Sequence, residues 1–187
     1  ESDLIFLVGC NPRYEATILN ARIRKAYLNN NTKIVSLNEA GDLTYPYKNL
    51  DGQSQTLKDI FENNHELSKD IINSKKPMII IGESFFRLNS SKFLFSKINE
   101  FLKKNNKFLD EWKPINILSC DASAVGNFDI GLINNEKNLL SELKEHKFEI
   151  IYLLGQDNLN FNKENEFIIY QGSHGDNGAE IADIILP

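Results

Sequence analysis

Leu4-Ile5-Phe6-Leu7-Val8-Gly9-Cys10-Asn11-Pro12 is the stretch from which the fold is read. Five apolar residues in a row, without alternation, describe a strand buried on both faces, as in the middle of a parallel sheet. Gly9 ends it, and Asn11-Pro12 has the form of a helix start, with an N-cap residue followed by proline in the first turn. A helix is expected next, with Ile18, Leu19, Ile23, Ala26 and Tyr27 on one face and Arg22, Arg24 and Lys25 towards its C-terminal end, stopped by Asn29-Asn30-Asn31. The same alternation continues downstream. Strands are read at Lys33 to Leu37, Met78 to Ile81, Ile115 to Leu118, Glu149 to Leu154, Phe167 to Tyr170 and Ala182 to Leu186. Between them lie an irregular, aromatic-bearing connection from Asp42 to Asn49 and a helical stretch from Ser54 to Asn73, broken near Asn63-Asn64. A long helical region runs from Phe85 to Asn105 with Phe93, Leu94, Ile98, Phe101 and Leu102 as its stripe, and a short helix from Lys137 to His146. Alternating β and α units of this size imply an α/β fold: one Rossmann-like, doubly wound domain over residues 1–187, with a mostly parallel sheet and helices on both faces.

Composition narrows the function classes. The 187 residues are 41% hydrophobic and 25% charged with a net charge of −5, the profile of an ordinary globular chain and not of a disordered or coiled-coil one. A pI near 5.3 and four arginines leave no basic stripe for neutralising phosphates, which argues against nucleic acid as a partner. The longest apolar run falls far short of the roughly 20 residues that span a bilayer. The chain opens on Glu1, not Met, and enters a strand almost at once, so the expectation is a piece of a longer polypeptide. Cys10 and Cys120 lie far apart and read as free, reduced thiols. With His65, His146 and His174 they make no metal-ligand spacing.

In doubly wound sheets ligands bind outside the carboxyl ends of the strands. Three strand ends carry glycine: Gly9 before Cys10-Asn11-Pro12, Gly82 before Glu83-Ser84, and Gly155 before Gln156-Asp157-Asn158. The Asn11-Pro12 turn is either a phosphate cradle with free backbone N–H groups or a turn that needs glycine for close approach, and the second reading is preferred. There is no Gly-x-Gly-x-x-Gly fingerprint and no Walker loop, so nicotinamide and ATP sites are unsupported. In Gln171-Gly172-Ser173-His174-Gly175-Asp176-Asn177-Gly178, a carboxylate-oriented imidazole competes with a polar loop shaped by positive-φ glycines. The loop reading is preferred, because no nucleophile accompanies the pair. Cys10 reads as a buried small residue more readily than as an activated thiolate, and Trp112, Tyr45 and Tyr47 as core or interface aromatics.

Longer motifs point to a family. Val8-Gly9-Cys10-Asn11-Pro12-Arg13-Tyr14-Glu15-Ala16 and Asn20-Ala21-Arg22-Ile23-Arg24-Lys25 are followed by Asp42-Leu43-Thr44-Tyr45, Lys76-Pro77-Met78, Trp112-Lys113, Asn116-Ile117-Leu118 and Asp129-Ile130-Gly131. The series ends with Ile169-Tyr170-Gln171-Gly172-Ser173-His174-Gly175-Asp176, Gly178-Ala179 and Ala182-Asp183-Ile184-Ile185-Leu186-Pro187. In this order, end to end, they resemble the molybdopterin-oxidoreductase-like domain of the large iron–sulfur subunit of respiratory complex I. That resemblance implies a part in electron transfer from NADH towards quinone, coupled to proton translocation. It implies 4Fe-4S and 2Fe-2S clusters in the intact subunit but no cofactor, metal or catalytic residue in this segment. The implied partners are other complex I subunits, with no nucleic acid and no membrane span, on the cytoplasmic or mitochondrial matrix face of the inner membrane. In the wider superfamily the Gly-x-Asn-Pro turn lies against the nucleotide portion of a molybdenum–pterin cofactor, and subunits resembling this one are thought to keep the scaffold without it. Gly9, Cys10, Asn11, Pro12, Gly155, Gln156, Asp157 and His174 are therefore the candidates for a vestigial pterin-nucleotide crevice. Asp157 and Asn158 depart from the second turn's pattern, and Ser173 stands where a histidine is expected. The alternative functions are a nucleotide-portion-binding domain of a molybdopterin-dependent oxidoreductase and a stand-alone nucleotide-binding module.

Overall fold

Strand β1 (Leu4–Val8) is buried at every residue because it sits in the middle of a parallel sheet. The computed structural model describes residues 1–121, 123–132, 139–158 and 162–187. On one side β1 pairs with β2 (Lys33–Ser36), which in turn pairs with the short β3 (Lys48–Asn49). On the other side β1 pairs with β4 (Pro77–Gly82), and β4 with β5 (Ile115–Leu118). All four pairings are parallel, in the order β3-β2-β1-β4-β5. Leu4, Phe6, Val8, Ile79 and Ile81 face a cluster supplied by three helices: α3 (Ser54–Phe61), α4 (Glu66–Asn73) and α6 (Ser91–Lys104). Ile5, Leu7, Ile34 and Ile80 face the other way, against Ile23 and the aromatic connection bearing Leu43 and Tyr45. Ile23 belongs to α2 (Thr17–Asn30), which follows the four-residue α1 (Pro12–Glu15).

Where the sequence reading sets one domain over residues 1–187, the described residues form two compact units, residues 1–125 and 126–187. The second has its own parallel sheet, β6 (Ile150–Leu154), β7 (Phe167–Gln171) and β8 (Ile184–Leu186) in that order. Its core is Leu143, Ile151, Leu153, Ile168 and Tyr170. The helix read at 137–146 is α8 (Leu139–Lys144), with 137 and 138 outside the described residues. Short helices α5 (Glu83–Phe86), α7 (Ala124–Asp129) and α9 (Asn177–Glu180) complete the chain.

Three local expectations change. Ile18 is 76% exposed, since α2 meets the sheet through Leu19, Ile23 and Tyr27 and through the buried Asn20. Asn20 donates to the Leu43 carbonyl at 3.0 Å and accepts from the Tyr45 hydroxyl at 2.7 Å, tying helix to connection. The region from Phe85 to Asn105 is two helices, α5 and α6, and Phe93 points outward while Leu94, Ile98, Phe101 and Leu102 are buried. The basic residues of α2 also lie before its last turn. By contrast, the break near Asn63-Asn64 is real: Asn63 adopts φ +67° between α3 and α4, and the Ser68 hydroxyl donates to the Ile60 carbonyl across it.

In the second unit, buried Glu166 is held by the Glu164 backbone N–H at 2.7 Å and lies 2.5 Å from His146 Nδ1. Backbone N–H groups first, then His146, hold its carboxyl down at about 2. A carboxylate depressed in the folded state contributes stability above its unfolded value and loses it as pH falls through the folded one. Amide exchange in β7 should therefore accelerate as pH drops from about 4.5 towards about 2, beyond the intrinsic pH dependence of exchange. Glu166→Gln should remove that step, and an unchanged acid profile in the variant would refute it.

Candidate functional site

The strand order reverses between β1 and β4, and in a doubly wound sheet that switch point is where a ligand binds. Gly9 and Gly82 stand at these two strand ends. Gly9 has φ +61°, a left-handed conformation that costs a residue with a Cβ about 1–2 kcal/mol. A Cβ on Gly9 would lie 2.6 Å from Ser84 Oγ, and one on Gly82 only 2.2 Å from the Gly9 carbonyl oxygen. Ser84 donates its hydroxyl to that same carbonyl. The two turns thus close on each other, and glycine serves close approach.

The donors expected at the helix start are in use. The Asn11 N–H donates to Glu15 Oε1 at 2.9 Å, Pro12 has none, and the Arg13 N–H donates to Asn11 Oδ1 at 3.2 Å. The N–H groups of Tyr14 and Glu15 both donate to the Asn11 carbonyl. The Asn11 side-chain amide donates to the Ala40 carbonyl at 3.0 Å. The free phosphate cradle is therefore corrected: every N–H from Asn11 to Glu15 is partnered inside the chain, and α1 is too short to project a sizeable dipole. Arg13, the cation of this turn, pairs with Asp42 at 2.6 Å. Glu83, also at the switch point, accepts from the Cys120 N–H at 2.7 Å and the Ser119 hydroxyl at 2.9 Å, which hold its carboxyl below the ordinary range. Cys10 is not an activated thiolate, since burial, with a lesser push from Glu15, raises its thiol to about 12. These residues do not fit a pyrophosphate, which would have to displace Glu15 and sit beside Glu83.

In the second unit Gly155, at φ +58°, follows β6 and its N–H donates to the Gln171 carbonyl at 2.7 Å. Asp157 is a brace. Its Oδ1 accepts from the Gly178 N–H at 3.0 Å and its Oδ2 lies 3.2 Å from the buried Tyr170 hydroxyl, which also reaches the His174 carbonyl at 3.1 Å. Burial raises the Tyr170 phenol, with Asp157 adding to it, so the ring keeps its proton to donate. A Cβ on Gly172 would lie 2.3 Å from the Tyr170 hydroxyl oxygen, and one on Gly178 2.7 Å from the Gln156 carbonyl. The expected positive-φ glycines in this loop are thus corrected: Gly172, Gly175 and Gly178 all have ordinary φ, and two of them make room for Tyr170. His174 lies 2.9 Å from the Ser173 hydroxyl and is exposed, so Asp176, the N-cap residue of α9, is not its orienting carboxylate.

Gly9, Cys10, Asn11 and Pro12 belong to the first unit, and Gly155, Gln156, Asp157 and His174 to the second. Sequence reasoning missed Glu15 and Asp42. Glu15 has a local signal, four residues after the N-cap; Asp42 has none, because it arrives from a distant connection. His65 caps α4, accepting from the Leu67 N–H at 3.1 Å, and Trp112 donates to the Pro77 carbonyl at 2.8 Å. Among the described residues no three His, Cys, Asp or Glu side chains gather as a metal-binding group.

A family model described as molybdopterin oxidoreductase matches residues 1–187. The chain is 40% identical to the NADH-ubiquinone oxidoreductase 75 kDa subunit of Reclinomonas americana, covering 100% of this chain and 27% of that protein. It is 36% identical to the mitochondrial NADH-ubiquinone oxidoreductase 78 kDa subunit of Candida albicans, over 100% and 25% respectively. It is 34% identical to the mitochondrial NADH dehydrogenase (ubiquinone) iron-sulfur protein 1 of Solanum tuberosum, over 100% and 25%. The chain spans about a quarter of the length of the curated relatives it matches.

Proposed function

We propose, for a chain that belongs over residues 1–187 to the molybdopterin oxidoreductase family, the role of a scaffold domain in the large iron–sulfur subunit of an NADH:quinone oxidoreductase. The observation that carries this reading is identity of 34–40% along the whole chain to proteins named as NADH-ubiquinone oxidoreductase or NADH dehydrogenase components. The complete protein then passes electrons from NADH towards quinone in company with other complex I subunits, through 4Fe-4S and 2Fe-2S clusters held outside this segment. It works at the cytoplasmic or matrix face of the inner membrane; no helix among the described residues is long and apolar enough to cross a membrane. Metal and pterin analysis of the full-length protein tests the reading. Iron with acid-labile sulfide and no molybdenum is expected, whereas stoichiometric molybdenum with a pterin would replace it by the molybdopterin-dependent enzyme.

The turns at Gly9 and Gly155 are, on this reading, remnants without a ligand. Support comes from Asn11 to Glu15, whose N–H groups are consumed internally, and from the carboxylates of Glu15 and Glu83 in the first unit and Asp157 in the second. Guanosine diphosphate titrated into the chain should give no saturable heat below about 1 mM, weaker than about 4 kcal/mol. Micromolar binding that disappears in Asn11→Ala would sink this part of the proposal.

A further inference from the structure

We draw no further inference here: the strongest candidate, the apolar face of the β6-β7-β8 sheet that carries Ile150, Tyr152, Leu154, Phe167 and Ile184, is exposed among the described residues, and nothing in the structure shows what covers it.

Discussion

Gly82→Val is expected to lower the unfolding midpoint of the first unit by about 15 °C, a loss of about 4 kcal/mol. A Cβ at this position meets the Gly9 carbonyl oxygen at 2.2 Å, the Gly9 carbonyl carbon at 2.9 Å and Cys10 Cβ at 2.7 Å. Two of these are main-chain atoms at the end of β1, held in register by the Val8–Ile81 pairing, so no side-chain rotation relieves the clash. Either the turns separate, breaking the Ser84 to Gly9 hydrogen bond, or the central strand pair shifts; overpacking of this kind costs more than the usual 1–3 kcal/mol. Gly41→Ala is the control. Gly41 also has a positive φ, +64°, but open space around its Cβ position, so only about 1–2 kcal/mol of left-handed strain is expected. Trp112 fluorescence follows the transition. A Gly82→Val shift no larger than the Gly41→Ala shift would show that the switch point is looser than the geometry says.

Gly178→Val should unfold the second unit at room temperature while the first keeps its Trp112 signal. The added Cβ meets the Gln156 carbonyl at 2.7 Å and the Tyr170 ring at 2.7 Å, and Tyr170 is a central member of a five-residue core. Strain of about 3 kcal/mol, together with a misplaced Gly178 N–H that no longer reaches Asp157, is a large share of what a small unit has to lose. Gly175 lies three residues earlier, just before α9, has ordinary φ and has nothing within 4 Å of its Cβ position, so Gly175→Val should change amide exchange in β6 and β7 little. Equal effects at the two positions would refute the packing argument.

Most elements were legible because their signals are local. An unbroken apolar run marks β1 as a central strand, and Asn63-Asn64 marks the break between α3 and α4. Local periodicity fails where a neighbour decides. Ile18 and Phe93 sit on apolar stripes and yet face outward, because what lies opposite each helix is set by distant strands.

The candidate site was legible as a place but not as a state. The Gly-x-Asn-Pro turn is visible in one stretch of sequence, whereas Ser84 closing on Gly9, and Asp42 holding Arg13, bring together residues tens of positions apart. The long apolar strands and the family resemblance rest on adjacent residues, and the order of amino acids sufficed for these; the two-residue β3, inside a stretch read as irregular, and the close approach that makes glycine necessary at Gly82 came only with the fold. The folded chain was required to learn that the strands divide into two sheets, that the glycines of the last loop yield space to Tyr170, and that no N–H from Asn11 to Glu15 is left free. Hydrogen bonds and close packing between distant segments choose their partners only when the chain has folded, and no spacing along it records that choice.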